Sequence, residues 1–217
     1  MRKLILTVVI CLMMVNVFAQ VDTTTHASPV VIKLLKPQTD GGMPLMQALK
    51  ERKSSRSFSD KELKPQVLSD LLWAAFGINR HDSAKRTAPS AINMQEIDIY
   101  VAMRKGLYLY EQKKHLLKQV LAKDIRAITG KQDFVAVAPV NLIYVADYSK
   151  MSKVGDKKAF YSAADTGFIA QNVYLYCASN SLATVVRGMF DKKALGKVMN
   201  LRSDQNIVLT QTVGYRK

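Results

Sequence analysis

Cysteine is nearly absent, with two in 217 residues, Cys11 and Cys177. Cys11 falls in the one sustained apolar run, residues 4–15, which follows Arg2 and Lys3 and leads into Val17-Phe18-Ala19 and then Gln20. That is the layout of a secretory signal peptide cleaved after Ala19. The run is shorter than the ~20 apolar residues a membrane span needs, and Ile10 before Cys11 does not suit a lipoprotein. The expectation is a protein exported to the periplasm or beyond, without a stable membrane anchor after cleavage. Only Cys177 would remain, which excludes an internal disulfide. Its apolar helical surroundings fit a small buried hydrophobe better than a nucleophile. Histidine is also sparse: His26, His81 and His115 lie far apart with polar flanks, so no metal-ligand spacing arises. Acidic residues number 17 against 32 Lys and Arg, a net charge of +15 that falls to +13 once Arg2 and Lys3 leave. Such an excess favours an anionic partner. The lysines are scattered in pairs, as at 113–114, 157–158 and 192–193, with no basic block, so nucleic acid is not expected.

What is present is one domain's worth of patterned chain, with neither repeats nor a low-complexity linker. The expected organisation is a signal peptide over 1–19, a lead-in over 20–43 and one folded domain over 44–217. Val30-Val31-Ile32 predicts a short extended arm. Pro44 opens a helix with Leu45, Met46 and Leu49 on one face. Val67, Leu68, Leu71, Leu72 and Ala75 form an amphipathic stripe from Pro65 to a stop at Gly77. Residues 78–90 read as a polar loop. Residues 97–103 alternate as a strand, 106–117 as a hairpin, and 120–128 as a short helix ending at Gly130. Residues 140–146 read as a buried strand. Residues 157–180 form the longest helix, apolar on nearly all sides, which predicts burial on all sides. A strand at 184–186, a short helix capped by Asp191 and a strand over 207–213 complete the chain. Helices and strands do not alternate regularly, which favours α+β over a doubly wound sheet.

Two segments carry the chemistry. Arg52, Lys53, Ser54 and Arg56 follow a helix and offer charge-assisted donors to a phosphate. Taken alone, they also read as a solvated basic helix end. Pro89, Ser90, Ala91, Ile92, Asn93, Met94 and Gln95 form a small-residue turn that a flat ring could approach, with Asn93 able to donate and accept. Taken alone, that turn reads as an ordinary Pro-Ser turn.

In this order and spacing, the two resemble the nitroreductase family, and within it the SagB/thiazole-oxidase-type branch. The Arg-Lys-Ser-Ser-Arg-Ser-Phe run is similar to the family's opening segment, and 89–95 to its Pro-Ser-Ser-x-Asn-x-Gln turn. The hairpin Gly106-Leu107-Tyr108-Leu109-Tyr110, the long-helix residues Asp165, Gly167, Gln171 and Asn172, the strand end Val186-Arg187-Gly188 and the closing Gly214-Tyr215-Arg216 extend the likeness over 44–217. Three positions depart from the pattern: Ala91 replaces a serine, Glu96 a proline, and Arg187 an acidic residue.

The resemblance implies an α+β fold with a central mixed sheet, a long buried helix and an intertwined homodimer with two flavin mononucleotide (FMN) sites. It implies that Arg52, Lys53, Ser54, Arg56, Val186, Arg187, Gly188 and Arg216 hold FMN with Pro89, Ser90, Ala91 and Asn93, the last group supplied by the other subunit. The reaction implied is hydride or electron transfer through flavin N5 to or from a small organic substrate. NAD(P)H is one possible electron donor. No catalytic acid, base or metal is implied. The alternative is an exported basic protein that keeps the fold and binds another phosphorylated ligand without redox activity.

Overall fold

The computed structural model describes residues 30–217. The signal peptide over 1–19 and the first part of the lead-in lie outside them. Among the described residues, no helix is long and apolar enough to cross a membrane.

Residues 30–43 form an arm across one edge of the domain. Strand β1 (Val31–Lys33) pairs antiparallel with β6 (Leu116–Leu121). The arm then crosses α2 (Pro65–Phe76), where Ser69 Oγ donates to the Leu35 carbonyl and Gln38 N–H donates to Asp70 Oδ1. His115 joins this clasp, with Nε2 2.7 Å from Ser69 Oγ and Nδ1 2.9 Å from Tyr110 Oη.

Helix α1 (Leu45–Glu51) follows Pro44, and α2 starts at Pro65 and stops before Gly77, as the apolar spacing predicts. The loop expected at 78–90 contains a small hairpin, β2 (Ile78–Arg80) against β3 (Lys85–Arg86). These strands are too short to show alternation. A meander of β4 (Ile97–Met103), β5 (Gly106–Glu111) and β6 follows. The helix expected over 120–128 is corrected: β6 continues to Leu121, and only a 3-10 turn forms at Arg126–Thr129. Helix α3 (Phe134–Val137) leads into β7 (Val140–Asp147), buried at every residue. Helix α4 (Lys158–Ser179), β8 (Leu182–Arg187), α5 (Lys192–Val198) and β9 (Gln205–Tyr215) complete the fold. Asp191 caps α5, accepting from Ala194 N–H at 2.9 Å.

The main sheet runs β1-β6-β5-β4-β7-β9-β8, and every neighbouring pair is antiparallel. The fold class is α+β as expected, but the sheet is not mixed. Helix α4 links β7 to β8, which point the same way, and β9 inserts between them, so no parallel pair forms. Helices α2 and α4 cover one face, over a core that includes Leu71, Phe76, Ile99, Leu142, Tyr144 and Val173. On the other face, α5 packs through Leu195 against Ile143, Val145 and Ile207. Cys177 is buried in the first core, where burial pushes its thiol pKa up, as befits a packing residue.

Within one chain, α4 is not buried on all sides. Ser162, Asp165, Thr166, Ile169, Ala170, Val173 and Cys177 face inward, while Phe160, Ala163, Ala164, Gly167, Phe168 and Gln171 form an exposed stripe at helical spacing. Phe160 is 70% exposed and Phe168 48%.

Candidate functional site

The backbone over 52–59 is pinned by one aromatic residue and two strand-like hydrogen bonds. Phe58 is buried among Phe134, Ala138, Ala183 and Val185, its ring 5.3 Å from that of Phe134. It also bridges to Arg216, while Ser59 N–H donates to the Tyr215 carbonyl and Ser55 N–H to the Thr184 carbonyl, each at 2.9 Å. The segment therefore lies along β8 and reaches the end of β9. Tyr174 of α4 ties it down further. Its hydroxyl is 2.8 Å from Ser54 Oγ and accepts from Val186 N–H at 3.0 Å, and Arg52 Cζ lies 5.4 Å from its ring centroid. Tyr174 was not foreseen from the sequence, since a tyrosine in an apolar helix carries no local signal.

This arrangement lays residues 52–58 along β8, with Ser54 reaching toward Val186 through Tyr174 and Phe58 beside Arg216 at the other end of the strand. Lys53, Arg56 and Arg216 are exposed and Arg52 is half-buried. None of these four cations forms an ion pair among the described residues, whose salt bridges involve Arg126, Lys150 and Arg202. The segment is thus a positive rim without carboxylate partners, beside a hydroxyl.

Arg187 ends β8, at the end away from Arg216, and its side chain turns to the sheet face opposite α4. Its guanidinium is buried, donating to the Thr129 carbonyl and, at 2.8 Å, to Asn141 Oδ1. Its Nε finds no partner among the described residues. With no carboxylate beside it, burial lowers its pKa to about 10. Of this residue only the backbone faces the rim, next to exposed Gly188.

Pro89, Ser90, Ala91 and Asn93 lie elsewhere. The turn they form is held by its own bonds: Asn93 N–H to the Ser90 carbonyl at 2.9 Å, and Gln95 N–H to Ser90 Oγ at 3.0 Å. The Gln95 amide donates to the Ala84 carbonyl and to Asn93 Oδ1, and accepts from Arg86 Nε. Ile92, Asn93 and Gln95 all adopt the left-handed region, with φ of 45°, 56° and 50°. For a β-branched residue such as Ile92 this is unusual, and such strain persists only where surroundings over-determine it. Ala91 N–H donates to Asp165 Oδ2 on α4 at 2.8 Å.

Asp165 and Tyr174 are about two and a half turns apart on α4, so the two halves sit on opposite sides of that helix and ~14 Å apart along it. One chain sets the cations along one rim and forms the turn, but it does not bring the two to each other. A mostly apolar cavity of about 250 Å³ between the arm, Leu63, Pro65 and Tyr108 is lined by none of these residues.

The sequence model of the nitroreductase family matches residues 49–215. A nitroreductase-family protein of Methanocaldococcus jannaschii is 32% identical over 169 residues, which is 73% of this chain and 85% of that protein. The crystal structure of a nitroreductase-family protein from Ralstonia eutropha JMP134 superposes with a TM-score of 0.83 at 44% identity, covering 86% of this chain and 90% of that one. A chain of the E. coli microcin synthetase McbBCD complex shares the fold at 18% identity and a TM-score of 0.67, covering 85% of this chain and 78% of that one. A match that takes in residues 52–56, the turn and the strands between them makes this chain a member of the nitroreductase family, whose members are oxidoreductases.

Proposed function

We propose that the protein is an exported, homodimeric, FMN-dependent oxidoreductase that reduces or oxidises a small organic substrate. The observation that carries the reading is the rim along β8, where Arg52, Lys53 and Arg56 flank Ser54 and Arg216 lies beside Phe58, all without carboxylate partners among the described residues. A phosphate monoester carries ~1.5–2 negative charges and three strong acceptors, and these donors fit it. Arg52, Lys53, Ser54 and Arg56 would hold the phosphate with Arg216, and the backbone of Val186, Arg187 and Gly188 would lie along the ring. FMN, when bound, supplies hydride and electron transfer that no side chain can perform. The chain's own contribution is to bind the phosphate, to place a cation where negative charge develops on the reduced ring, and to exclude water from one ring face.

The second half of the pocket belongs to a partner subunit in this reading. The exposed stripe from Phe160 to Gln171 gives a second copy an apolar face to bury, and Ile92 and Met189, each about two-thirds exposed, add to it. Pro89, Ser90, Ala91 and Asn93 of the partner would then complete the pocket. Export rests on the Arg2-Lys3, apolar run and Ala19 pattern. The SagB-type assignment rests on the Tyr108/Tyr110 hairpin, β5 to β6.

The test is to purify residues 20–217, add FMN and follow flavin absorbance and mass together through size exclusion with light scattering. The expected result is a flavin that travels with a two-chain particle and bleaches with dithionite, after which NADH and NADPH are offered as donors. A colourless protein that refuses FMN overturns the flavin reading and leaves a basic binding protein. A one-chain mass overturns the shared pocket.

A further inference from the structure

Beneath the turn over 89–95 lie two acids that neither the phosphate rim nor the ring needs. Glu96 is 0% exposed and Asp165 2%. Glu96 is held in place by its backbone, whose carbonyl accepts from Asp147 N–H at 3.0 Å. Its side chain faces Asp165 closely enough for the two carboxyl groups to bond through a shared hydrogen. Neither Glu96 oxygen makes a well-formed hydrogen bond to a donor from another described residue. The cations nearby are engaged elsewhere: Lys150 with Asp98 at 2.8 Å, Arg202 with Asp147 and Asp204, and Arg86 with Gln95 and the Phe76 ring. Two adjacent carboxylates cannot both stay ionised in such a place without strong repulsion. Asp165 is also the residue that accepts from Ala91 N–H.

We propose that Glu96 and Asp165 share one proton and act as a positioning pair, holding the turn over 90–93 in the shape that takes the flavin, and that losing the proton releases the turn. The inference rests on the flavin reading. Burial is the largest influence and raises the Glu96 carboxyl to about 7; its own backbone amide opposes this, Asp165 adds to it by charge and by hydrogen bonding, and Lys150 opposes it least. Above that pH Glu96 gains a charge that faces Asp165. That charge drives the carboxylates apart, and the Asp165–Ala91 bond is what stands between Asp165 and the left-handed residues of the turn. Those residues favour relaxation once the bond is lost. Cofactor affinity therefore falls as pH rises through 7.

Two measurements test this with wild type and Glu96→Gln, whose amide can donate to Asp165 as the protonated acid does. The first is the FMN dissociation constant at about pH 6 and about pH 8.5, from quenching of flavin fluorescence. Wild type is expected to weaken about fivefold or more, and Glu96→Gln to stay within about twofold once the common titration of the phosphate near ~6 is divided out. The second needs no flavin. It is amide exchange of the 90–95 segment in the flavin-free protein, corrected for the intrinsic pH dependence of exchange. Protection is expected to fall above pH ~7 in wild type and to persist in Glu96→Gln. Equal pH profiles for the two proteins, or a wild-type segment whose protection does not change with pH, overturn the proposal. If FMN binds neither protein at any pH while protection follows the expected pattern, the flavin reading fails and the shared proton stands. Should Glu96→Gln not fold, the wild-type exchange profile alone decides.

Discussion

Residues 52–56 and 216 meet solvent as long charged side chains on a pinned backbone, whereas residues 89–95 present a backbone conformation locked from within. In the first region the anchors are Phe58, Ser55 and Tyr174, and the cations themselves touch little. In the second, Ser90, Gln95 and Asp165 hold three left-handed residues, and few side chains are left over to contact a ligand. The first region can supply affinity through charge, which salt screens. The second can supply shape, which salt leaves alone. Substitutions in the two should therefore fail in different ways.

The largest effect is expected from Arg52→Ala combined with Arg56→Ala. Two charge-assisted hydrogen bonds are worth ~1.5–3 kcal/mol each, so FMN affinity should fall about 10²- to 10⁴-fold. Thermal unfolding should change only modestly, by the ~0.5–1 kcal/mol of the Arg52–Tyr174 contact, because neither guanidinium is ion-paired among the described residues. Residual binding should also lose about half of its dependence on ionic strength, since Lys53 and Arg216 remain. The measurement is titration calorimetry at ~0.05 and ~0.5 M salt, where the screening length differs severalfold. Full flavin retention by the double variant would remove the rim from the site.

A smaller, differently shaped loss is expected from Gln95→Ala. The Gln95 amide bonds Ala84, Asn93 and Arg86, and Arg86 is buried with its NH1 nitrogen already lacking a partner among the described residues. Removing the amide leaves Arg86 Nε unsatisfied as well, at a cost of ~1–3 kcal/mol of folding stability. FMN affinity should fall about tenfold with its salt dependence unchanged. Thermal unfolding together with the same two-salt titration reads both. A loss that steepened or flattened with salt would mean that the turn acts through charge.

The contrast between the halves also explains what the sequence made legible. Helices α2 and α4, strands β4 and β7, and the Asp191 cap follow from apolar spacing and local capping, which one segment carries alone. The cations at 52–56 are legible as well, since charge is a property of composition. Strand direction is not, because side-chain alternation is the same in parallel and antiparallel strands. The expectation of a mixed sheet came from the family resemblance, and only the strand pairing corrects it. The end of β6 read as helix because Val120 and Leu121 sit beside helix-compatible residues, and only pairing with β5 decides the matter. The Glu96–Asp165 pair joins residues from distant parts of the chain. From the sequence, Glu96 is only a proline position filled by an acid. The exposed side of α4 has a related cause: an apolar stripe says that a face will be covered, not which chain covers it.

The smallest effect should come from Ala91→Ser, which restores the hydroxyl that the family's turn usually carries at this position. If the turn works through its shape, the feature that matters at 91 is the N–H donating to Asp165, and serine keeps it. The Ala91 side chain is half-buried, so a hydroxyl could reach solvent without an unpaired polar atom being buried. FMN affinity should then change by less than about threefold, or under ~0.7 kcal/mol, and the pH dependence set by Glu96 should be retained. A tenfold gain would mean that the pocket lacks a donor at this position and that side chains of the turn bind as well as shape. The comparison would then narrow to two regions that both contact the cofactor, one by charge and one by hydrogen bonds, with the buried acids supporting only the second.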